Sequence, residues 1–166
     1  MTPLPPPLGT GDVVLWRLDQ ANHAATWDSG EGAYLVGGRW NSKGVRTVYA
    51  SLDPATTILE TAVHKTFRAL DTVPHVLTSA EVLDPARIHV VDASAVPNPN
   101  WLRPGIPSAG QQAFGDTLLA AHPMILLPSV VSTHSWNLIF SPAAGLHRPA
   151  TQEAFALDPR LHPPAL

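Results

Sequence analysis

GGRWNSKG (residues 37–44), with VYAS (residues 48–51) and DPATTILE (residues 53–60) close behind it, is the stretch that decides the fold. The Asn-Ser-Lys-Gly turn of the first segment separates two extended pieces, a pattern typical of a β-hairpin. The third segment has the composition of a helix start. We therefore predict a strand-turn-strand-helix unit.

The predicted helix has clear boundary signals. Asp53 is a suitable N-cap, and Pro54 suits the first helical position, where its missing N–H costs nothing. We expect the helix to run to about Leu70. Apolar residues at helical spacing predict its buried stripe, which consists of Ile58, Leu59, Ala62, Val63 and Phe67.

The remaining elements alternate irregularly between strand and helix. Short apolar stretches bounded by turn residues predict further strands, and one longer stretch predicts a second helix. The predicted strands cover residues 13–18, 76–82, 88–91, 124–127, 136–140 and 153–157, and the helix covers 111–121. This order differs from the strict alternation of a doubly wound sheet, so we predict an α+β fold with mostly antiparallel sheets and a few helices.

The chain length favours one domain. At 166 residues, we expect a single domain over residues 1–166, with Pro-rich tails at 1–10 and 159–166. The sequence contains no cysteine, which excludes disulfides, thiolate zinc sites and a cysteine nucleophile. Residues 1–8 lack the features of a secretory signal, and no apolar run approaches a membrane span, so we expect a soluble cytoplasmic protein without membrane contact.

Charge and motif content narrow the classes of function. The formal net charge is -3, and the ten Lys and Arg residues are scattered, so direct nucleic-acid binding is not expected. The eight histidines include no pair at i, i+2 or i, i+4, and no metal site is expected. Dinucleotide-binding GxGxxG, P-loop and nucleophile-elbow motifs are also missing from the sequence.

An arginine, a tyrosine and a glutamate in the opening unit suit a nucleotide sugar. Arg39 follows two glycines, and its planar fork of donors can bind a phosphate that approaches the backbone closely. Tyr49 can stack on a planar base. Glu60 can hold ribose hydroxyls and stabilise positive charge on the sugar as a glycosidic bond breaks.

The residues alone leave structural roles open. Arg39 could form a salt bridge, Tyr49 could belong to a core or an interface, and Glu60 could pair with a lysine or with His64 one turn later. Ser129 follows a proline at a predicted strand end, where it could simply stop the strand.

With these motifs in place, the chain resembles the RES-domain toxins of RES–Xre toxin–antitoxin pairs. The resemblance covers nearly the whole chain and is most specific in its first half. It rests on LWR (15–17), GGRWNSKG (37–44), VYAS (48–51), ILE (58–60), VH (63–64), GD (115–116), LPS (127–129), WNLI (136–139) and DPRL (158–161). The chain departs from the family's usual Asn-Pro-x-His-Pro segment, because FSPAA (140–144) stands there.

The resemblance implies an ADP-ribosyltransferase-like fold and an enzyme that takes NAD as its substrate. It implies cleavage of the nicotinamide–ribose bond, with transfer of ADP-ribose to water, phosphate or a protein, and growth arrest through NAD depletion. An Xre-type helix-turn-helix antitoxin would be the partner. A protein-directed ADP-ribosyltransferase and a catalytically silent nucleotide-binding module are the alternatives, and a homodimer is left open.

The resemblance also implies a role for each matched residue. Glu60 would be the catalytic carboxylate, and Arg39, together with Arg17, would bind the NAD phosphates. Tyr49 would pack on the nicotinamide side. Ser129 would hydrogen-bond the ligand as part of the catalytic set, and Asn137 would support that wall of the binding site.

Overall fold

The strands of the computed structural model form one sheet. The structure describes residues 11–145, 147–148 and 151–162, so the predicted N-terminal tail lies outside the described residues. In chain order the strands are β1 (Val14–Gln20), β2 (Val48–Ser51), β3 (His75–Glu81), β4 (Ile88–Val90), β5 (Met124–Pro128), β6 (Trp136–Phe140) and β7 (Thr151–Phe155). Their order across the sheet is β4-β5-β6-β2-β1-β3-β7. Every neighbouring pair is antiparallel except β4 with β5, which confirms the predicted α+β class.

Four α-helices and several short 3₁₀ turns accompany this sheet in the described residues. The helices are α1 (Glu31–Val36), α2 (Pro54–Lys65), α3 (Phe67–Thr72) and α4 (Ala109–Ala121). Among these helices, none has the length and apolar character needed to cross a membrane.

Alternation along the strands divides the core between the two faces of the sheet. In β5, Met124 and Leu126 belong to the first core, whereas Ile125 and Leu127 belong to the second core, which packs against α4. Because successive side chains of a strand point to opposite faces, the same rule applies to β2 and β6. The polar residues on the face of the second core are Tyr49, Ser51 and Asn137, opposite the apolar residues Val48, Ala50 and Leu138.

The sheet has a weak junction between β1 and β2. Trp16 is the residue of β1 that lies opposite Ser51 of β2, whereas β1 and β3 are paired over their whole lengths. The two halves of the sheet therefore meet close to Ser51. Elements that pack beside this junction can form a cleft there.

The predicted hairpin over 37–51 is wrong. Its second half forms β2, but residues 37–47 form a loop, and β2 pairs with β1 and β6. The side chain of Asn41 explains the difference. It is fully buried, and its Nδ2 lies 3.0 Å from the carbonyl oxygens of Ala33, Ser42 and Val45. The Asn41 side chain thus joins the loop to α1 and bonds carbonyl groups of the loop itself, so the loop folds around Asn41.

The predicted helix begins as expected and ends early. The Asp53 side chain accepts a hydrogen bond from the backbone N–H of Thr56 at 2.8 Å, as an N-cap should. The helix ends at Lys65, because Thr66 adopts φ 72° and starts α3 with its own side chain as the cap. A positive φ is unfavourable for a β-branched residue, so this break is held by the surrounding packing.

The predicted C-terminal tail is partly folded. Pro159–Leu161 form a 3₁₀ turn, and the His162 ring lies 2.9 Å from Asp71 of α3. Residues 159–162 therefore pack against the body of the protein, and residues 163–166 lie outside the described part of the chain.

Candidate active site

Glu60 lies at the centre of a hydrogen-bonded cluster. It projects from α2, and its Oε1 accepts hydrogen bonds from Ser129 Oγ at 2.8 Å and from Asn137 Nδ2 at 2.6 Å. Ser129 follows β5, and Asn137 lies on β6, so two strands hold one oxygen of a helical carboxylate. Two such donors fix the direction of the carboxylate. Among the described residues, Glu60 therefore pairs with Ser129 and Asn137 and not with His64 or a lysine, which was the structural alternative.

Ser129 supports Glu60 from behind. Its side chain is fully buried. Its hydroxyl donates to Glu60 and accepts hydrogen bonds from the backbone N–H groups of Val131 and Ser132, both at 3.2 Å. A hydroxyl has one donor and two acceptor positions, and these contacts use all three. In this structure the Ser129 hydroxyl is engaged by Glu60 and the backbone, and its hydrogen bond to a ligand stays a prediction.

Asn137 connects Glu60 to the neighbouring strand. Its Oδ1 accepts a hydrogen bond from Ser51 Oγ at 2.8 Å. The register of β2 and β6 places these two residues directly opposite each other. The donor to Glu60 is therefore held on both sides of its amide.

Tyr49 anchors the loop that carries Arg39. Its hydroxyl donates to Asn41 Oδ1 at 2.7 Å and accepts from the backbone N–H of Trp40 at 2.9 Å. Burial raises the pKa of the phenol well above its usual range, so Tyr49 stays neutral. A side chain at position 38 would come within 2.5 Å of the Tyr49 hydroxyl, which explains the need for Gly38.

Arg39 contacts a second loop. Its Nη2 donates to the carbonyl oxygen of Gly105 at 2.8 Å, and its Nη1 donates to that of Arg103 at 3.4 Å. Partial burial lowers the pKa of the guanidinium, and the nearby charge of Glu60 and the hydroxyl of Tyr49 oppose that effect. A guanidinium has five N–H groups, so these two contacts leave part of the fork for a ligand.

Arg17 bridges the junction between the two halves of the sheet. Its Nε and Nη2 donate to the Asp19 carboxylate at 2.9 and 2.8 Å, and its Nη1 donates to the carbonyl oxygen of Tyr49 at 2.7 Å. The structure thus places Arg17 next to the backbone of the tyrosine and pairs it with a carboxylate. Its remaining N–H groups are those that a phosphate would have to use.

A comparison with protein families identifies the domain. Residues 14–158 match the model of the RES domain. This chain belongs to the RES domain family.

Characterised relatives of this RES domain are toxins by name. The Prs ADP-ribosylating toxin of Sphingobium sp. (strain YBL2) is 34% identical, and the match covers 77% of this chain and 81% of that protein. The Toxin Res of Photorhabdus laumondii is 28% identical, with 80% of this chain and 83% of that protein covered. A solved structure of similar fold is the crystal structure of the M. tuberculosis MbcT-MbcA toxin-antitoxin complex, with a TM-score of 0.67, 20% identity, and 86% of this chain and 84% of that chain covered.

Helix α4 of the RES domain holds the Arg39 loop in place. Gln112 Nε2 donates to the carbonyl oxygen of Gly38 at 2.8 Å, and Asp116 Oδ1 accepts from the backbone N–H of Ser42 at 3.0 Å. Between them, Gly115 lies directly against the backbone of Trp40. Two polar contacts and one close backbone approach therefore fix the loop on the helix.

The sequence predicts part of this site. Arg39, Tyr49 and Glu60 lie in one region, with Ser129 and Asn137 behind the carboxylate. It assigned no role to Ser51, Asn41 or the loop ending at Gly105. The signal for Ser51 was its place in the VYAS segment, but its contact with Asn137 depends on strand register, which the sequence does not display.

Among the described residues, no group of three or more His, Asp or Glu side chains is placed to hold a metal ion. The chemistry available in the described site comes from a carboxylate, a guanidinium, a neutral phenol and amide or hydroxyl donors. Such a set can bind an anionic ligand and stabilise a developing cation.

Replacing Gly115 with alanine tests the packing of α4 on the loop. The new Cβ would lie 2.6 Å from the Trp40 carbonyl carbon, so the loop must move. We expect Gly115→Ala to lower the free energy of unfolding by about 1–3 kcal/mol, as overpacking does. Urea denaturation measures this loss.

Gly110 provides the matched control for that substitution. It lies on the same helix, and a Cβ there meets nothing within 4 Å. Gly110→Ala should leave stability unchanged or raise it by up to about 1 kcal/mol, because alanine favours helix. Equal stability of the two variants would contradict the close approach of Gly115 to Trp40.

Proposed function

We propose that this RES domain is the toxin of a toxin–antitoxin pair and that it cleaves NAD at the nicotinamide–ribose bond. The observation that carries the proposal is that Glu60 Oε1 accepts hydrogen bonds from Ser129 and Asn137. The charge of Glu60 also acts on the pKa of the Arg39 guanidinium. A fixed carboxylate in the same region as a guanidinium suits a substrate with a ribose and phosphates. The names of the relatives, which are toxins and in one case an ADP-ribosylating toxin, support the same conclusion.

The proposed reaction is a substitution at the anomeric carbon of the nicotinamide ribose. The C–N bond breaks, its electron pair leaves with nicotinamide, and positive charge develops on the sugar. Glu60 stabilises that charge and holds the ribose hydroxyls. Water, phosphate or a protein side chain then supplies the electron pair of the new bond.

Each remaining residue has a distinct role in this proposal. Arg39 binds the phosphates with the N–H groups that Gly105 and Arg103 do not use. Tyr49 offers its ring to the nicotinamide side, because its hydroxyl is committed to the loop. Arg17 contributes a phosphate contact from the junction of the sheet. Ser129 and Asn137 act through Glu60.

We propose an Xre-type helix-turn-helix antitoxin as the partner in the cytoplasm. The solved structure of similar fold is a toxin–antitoxin complex, which makes an antitoxin a reasonable partner for this chain. A protein that consumes NAD must be restrained while the cell grows. Covering the region of Arg39, Tyr49 and Glu60 would achieve this directly.

Glu60→Gln tests the catalytic role. The amide keeps the shape and the acceptor oxygen but loses the charge that stabilises the oxocarbenium-like state. We expect nicotinamide release from NAD to fall by about 100-fold or more, with the melting temperature almost unchanged. Release at the wild-type rate would remove Glu60 from the chemistry.

Arg39→Lys tests phosphate recognition. A lysine keeps the charge but not the planar fork, so we expect NAD affinity to fall by about 10-fold to 100-fold. Calorimetric titration in a Glu60→Gln background measures binding without turnover. Arg46→Lys is the control, because Arg46 follows the same loop and pairs with Glu31 instead. An unchanged affinity in the Arg39 variant would assign Arg39 a structural role.

Expression in bacteria tests the biological role. The wild-type chain alone should arrest growth and lower cellular NAD, whereas the Glu60→Gln chain should be tolerated. Co-expression of the antitoxin should restore both. Growth arrest with normal NAD would favour the protein-directed ADP-ribosyltransferase, which labelled NAD in a lysate would then reveal as labelled protein. Harmless expression of folded wild-type protein would favour a silent nucleotide-binding module.

A further inference from the structure

A second hydrogen bond lies behind the contact between Asn137 and Glu60. Ser51 Oγ donates to Asn137 Oδ1 at 2.8 Å, and Asn137 Nδ2 donates to Glu60 Oε1 at 2.6 Å. The three side chains come from β2, β6 and α2. They form a chain of donors that ends on the carboxylate.

We propose that Ser51 is a positioning residue for Glu60 and acts by holding the Asn137 amide in one orientation. This inference rests on the proposed function of Glu60. Ser51 is 2% exposed, so it is too deeply buried to take part in binding NAD itself. Its effect must pass through Asn137.

The donor and acceptor inventory explains why the amide needs a second partner. An ionised carboxylate only accepts hydrogen bonds, so Asn137 must turn its NH₂ toward Glu60. Its carbonyl oxygen then faces Ser51, which supplies a donor. Without that donor, Asn137 Oδ1 loses its hydrogen-bond partner in a partly buried position, which is unfavourable. The amide would rotate toward other donors and release Glu60 Oε1.

The backbone makes Ser51 a firm support. It lies opposite Asn137 in the β2–β6 register and opposite Trp16 in the β1–β2 register, so strands on both sides fix its position. Its neighbour Leu52 donates from its backbone N–H to the carbonyl oxygen of Trp136 at 3.0 Å. The hydroxyl therefore belongs to the residue at which β2 is paired with both β1 and β6.

Steady-state kinetics of nicotinamide release separates positioning from binding. We expect Ser51→Ala to lower kcat by about 10-fold to 100-fold, because a small misplacement of a catalytic group has that effect, while KM for NAD changes by less than about twofold. Ser51→Thr keeps a hydroxyl and should recover most of the rate. An unchanged kcat in Ser51→Ala, or a loss confined to KM, would overturn the proposal.

Thr57→Val is the matched control. Thr57 is buried on the same helix as Glu60, and its hydroxyl donates to the carbonyl oxygen of Trp16 at 2.7 Å. The substitution removes a comparable buried hydrogen bond that does not lead to Glu60. We expect kcat close to wild type, and a loss equal to that of Ser51→Ala would reduce the Ser51 effect to general destabilisation.

A double-mutant cycle tests the route through Asn137. If Ser51 acts only through that amide, adding Ser51→Ala to Asn137→Ala should lower kcat no further, since the coupled residues form one unit. If the double variant lowered kcat by the product of the two single-variant losses, the two residues would act independently, and the proposal that Ser51 acts through Asn137 would be overturned.

The side-chain amide signal of Asn137 gives a reading that does not depend on activity. In a ¹⁵N NMR spectrum, Asn137→Ala identifies the signal by its disappearance. Ser51→Ala should shift it and accelerate its hydrogen exchange, whereas Thr57→Val should not. If the Asn137 signal does not move in Ser51→Ala, the positioning proposal is overturned, whether or not the wild-type protein releases nicotinamide. If the wild-type protein releases no nicotinamide but the signal moves, only the proposed function is rejected.

Discussion

The hydrogen bonds that converge on one oxygen of Glu60 join parts of the chain that are far apart in sequence. Ser129 and Asn137 reach the carboxylate from the end of β5 and from β6, and Glu60 brings α2 to them. Glu60 is partly buried, and these hydrogen bonds replace part of the hydration that its carboxylate loses. The position of α2 against the sheet and the direction of the Glu60 carboxylate therefore depend on the same contacts.

The cation of the site is held by different means. Arg39 lies on a loop that is folded around the buried amide of Asn41 and packed on α4 through Gly115. Its guanidinium then rests on carbonyl oxygens of a second loop at Arg103 and Gly105. Strands and a helix fix the carboxylate, whereas loops braced by one helix fix the guanidinium. The glycine before Arg39 serves this packing, because a side chain at position 38 would collide with Tyr49 and Asn41.

Local signals and long-range signals explain what the sequence could predict. The Asp53 cap and the strand segments depend on neighbouring residues, so the sequence predicts them, whereas the roles of Arg39 and Glu60 stay predictions. The hairpin prediction for the loop at 37–47 was wrong because residues of the Asn-Ser-Lys-Gly type are compatible with a hairpin turn and with a longer loop. Two contacts outside the segment determine the structure of this loop. Asn41 bonds the carbonyl oxygen of Ala33 in the preceding helix, and Gly115, 75 residues after Trp40, packs against the Trp40 backbone. The end of α2 at Thr66 likewise depends on packing rather than on helix propensity, which would have allowed continuation.

Tyr49 shows how the site separates support from chemistry within one residue. Its hydroxyl is used by Trp40 and Asn41, and burial keeps the phenol neutral, so it can neither act as a base nor carry charge in the site. The carboxylate of Glu60 and the guanidinium of Arg39 then remain as the two opposite charges of the site. A ligand that carries phosphates and develops positive charge on its sugar would match that pair of charges. Because the neutral phenol adds no third charge, the carboxylate and the guanidinium dominate the electrostatics of the site.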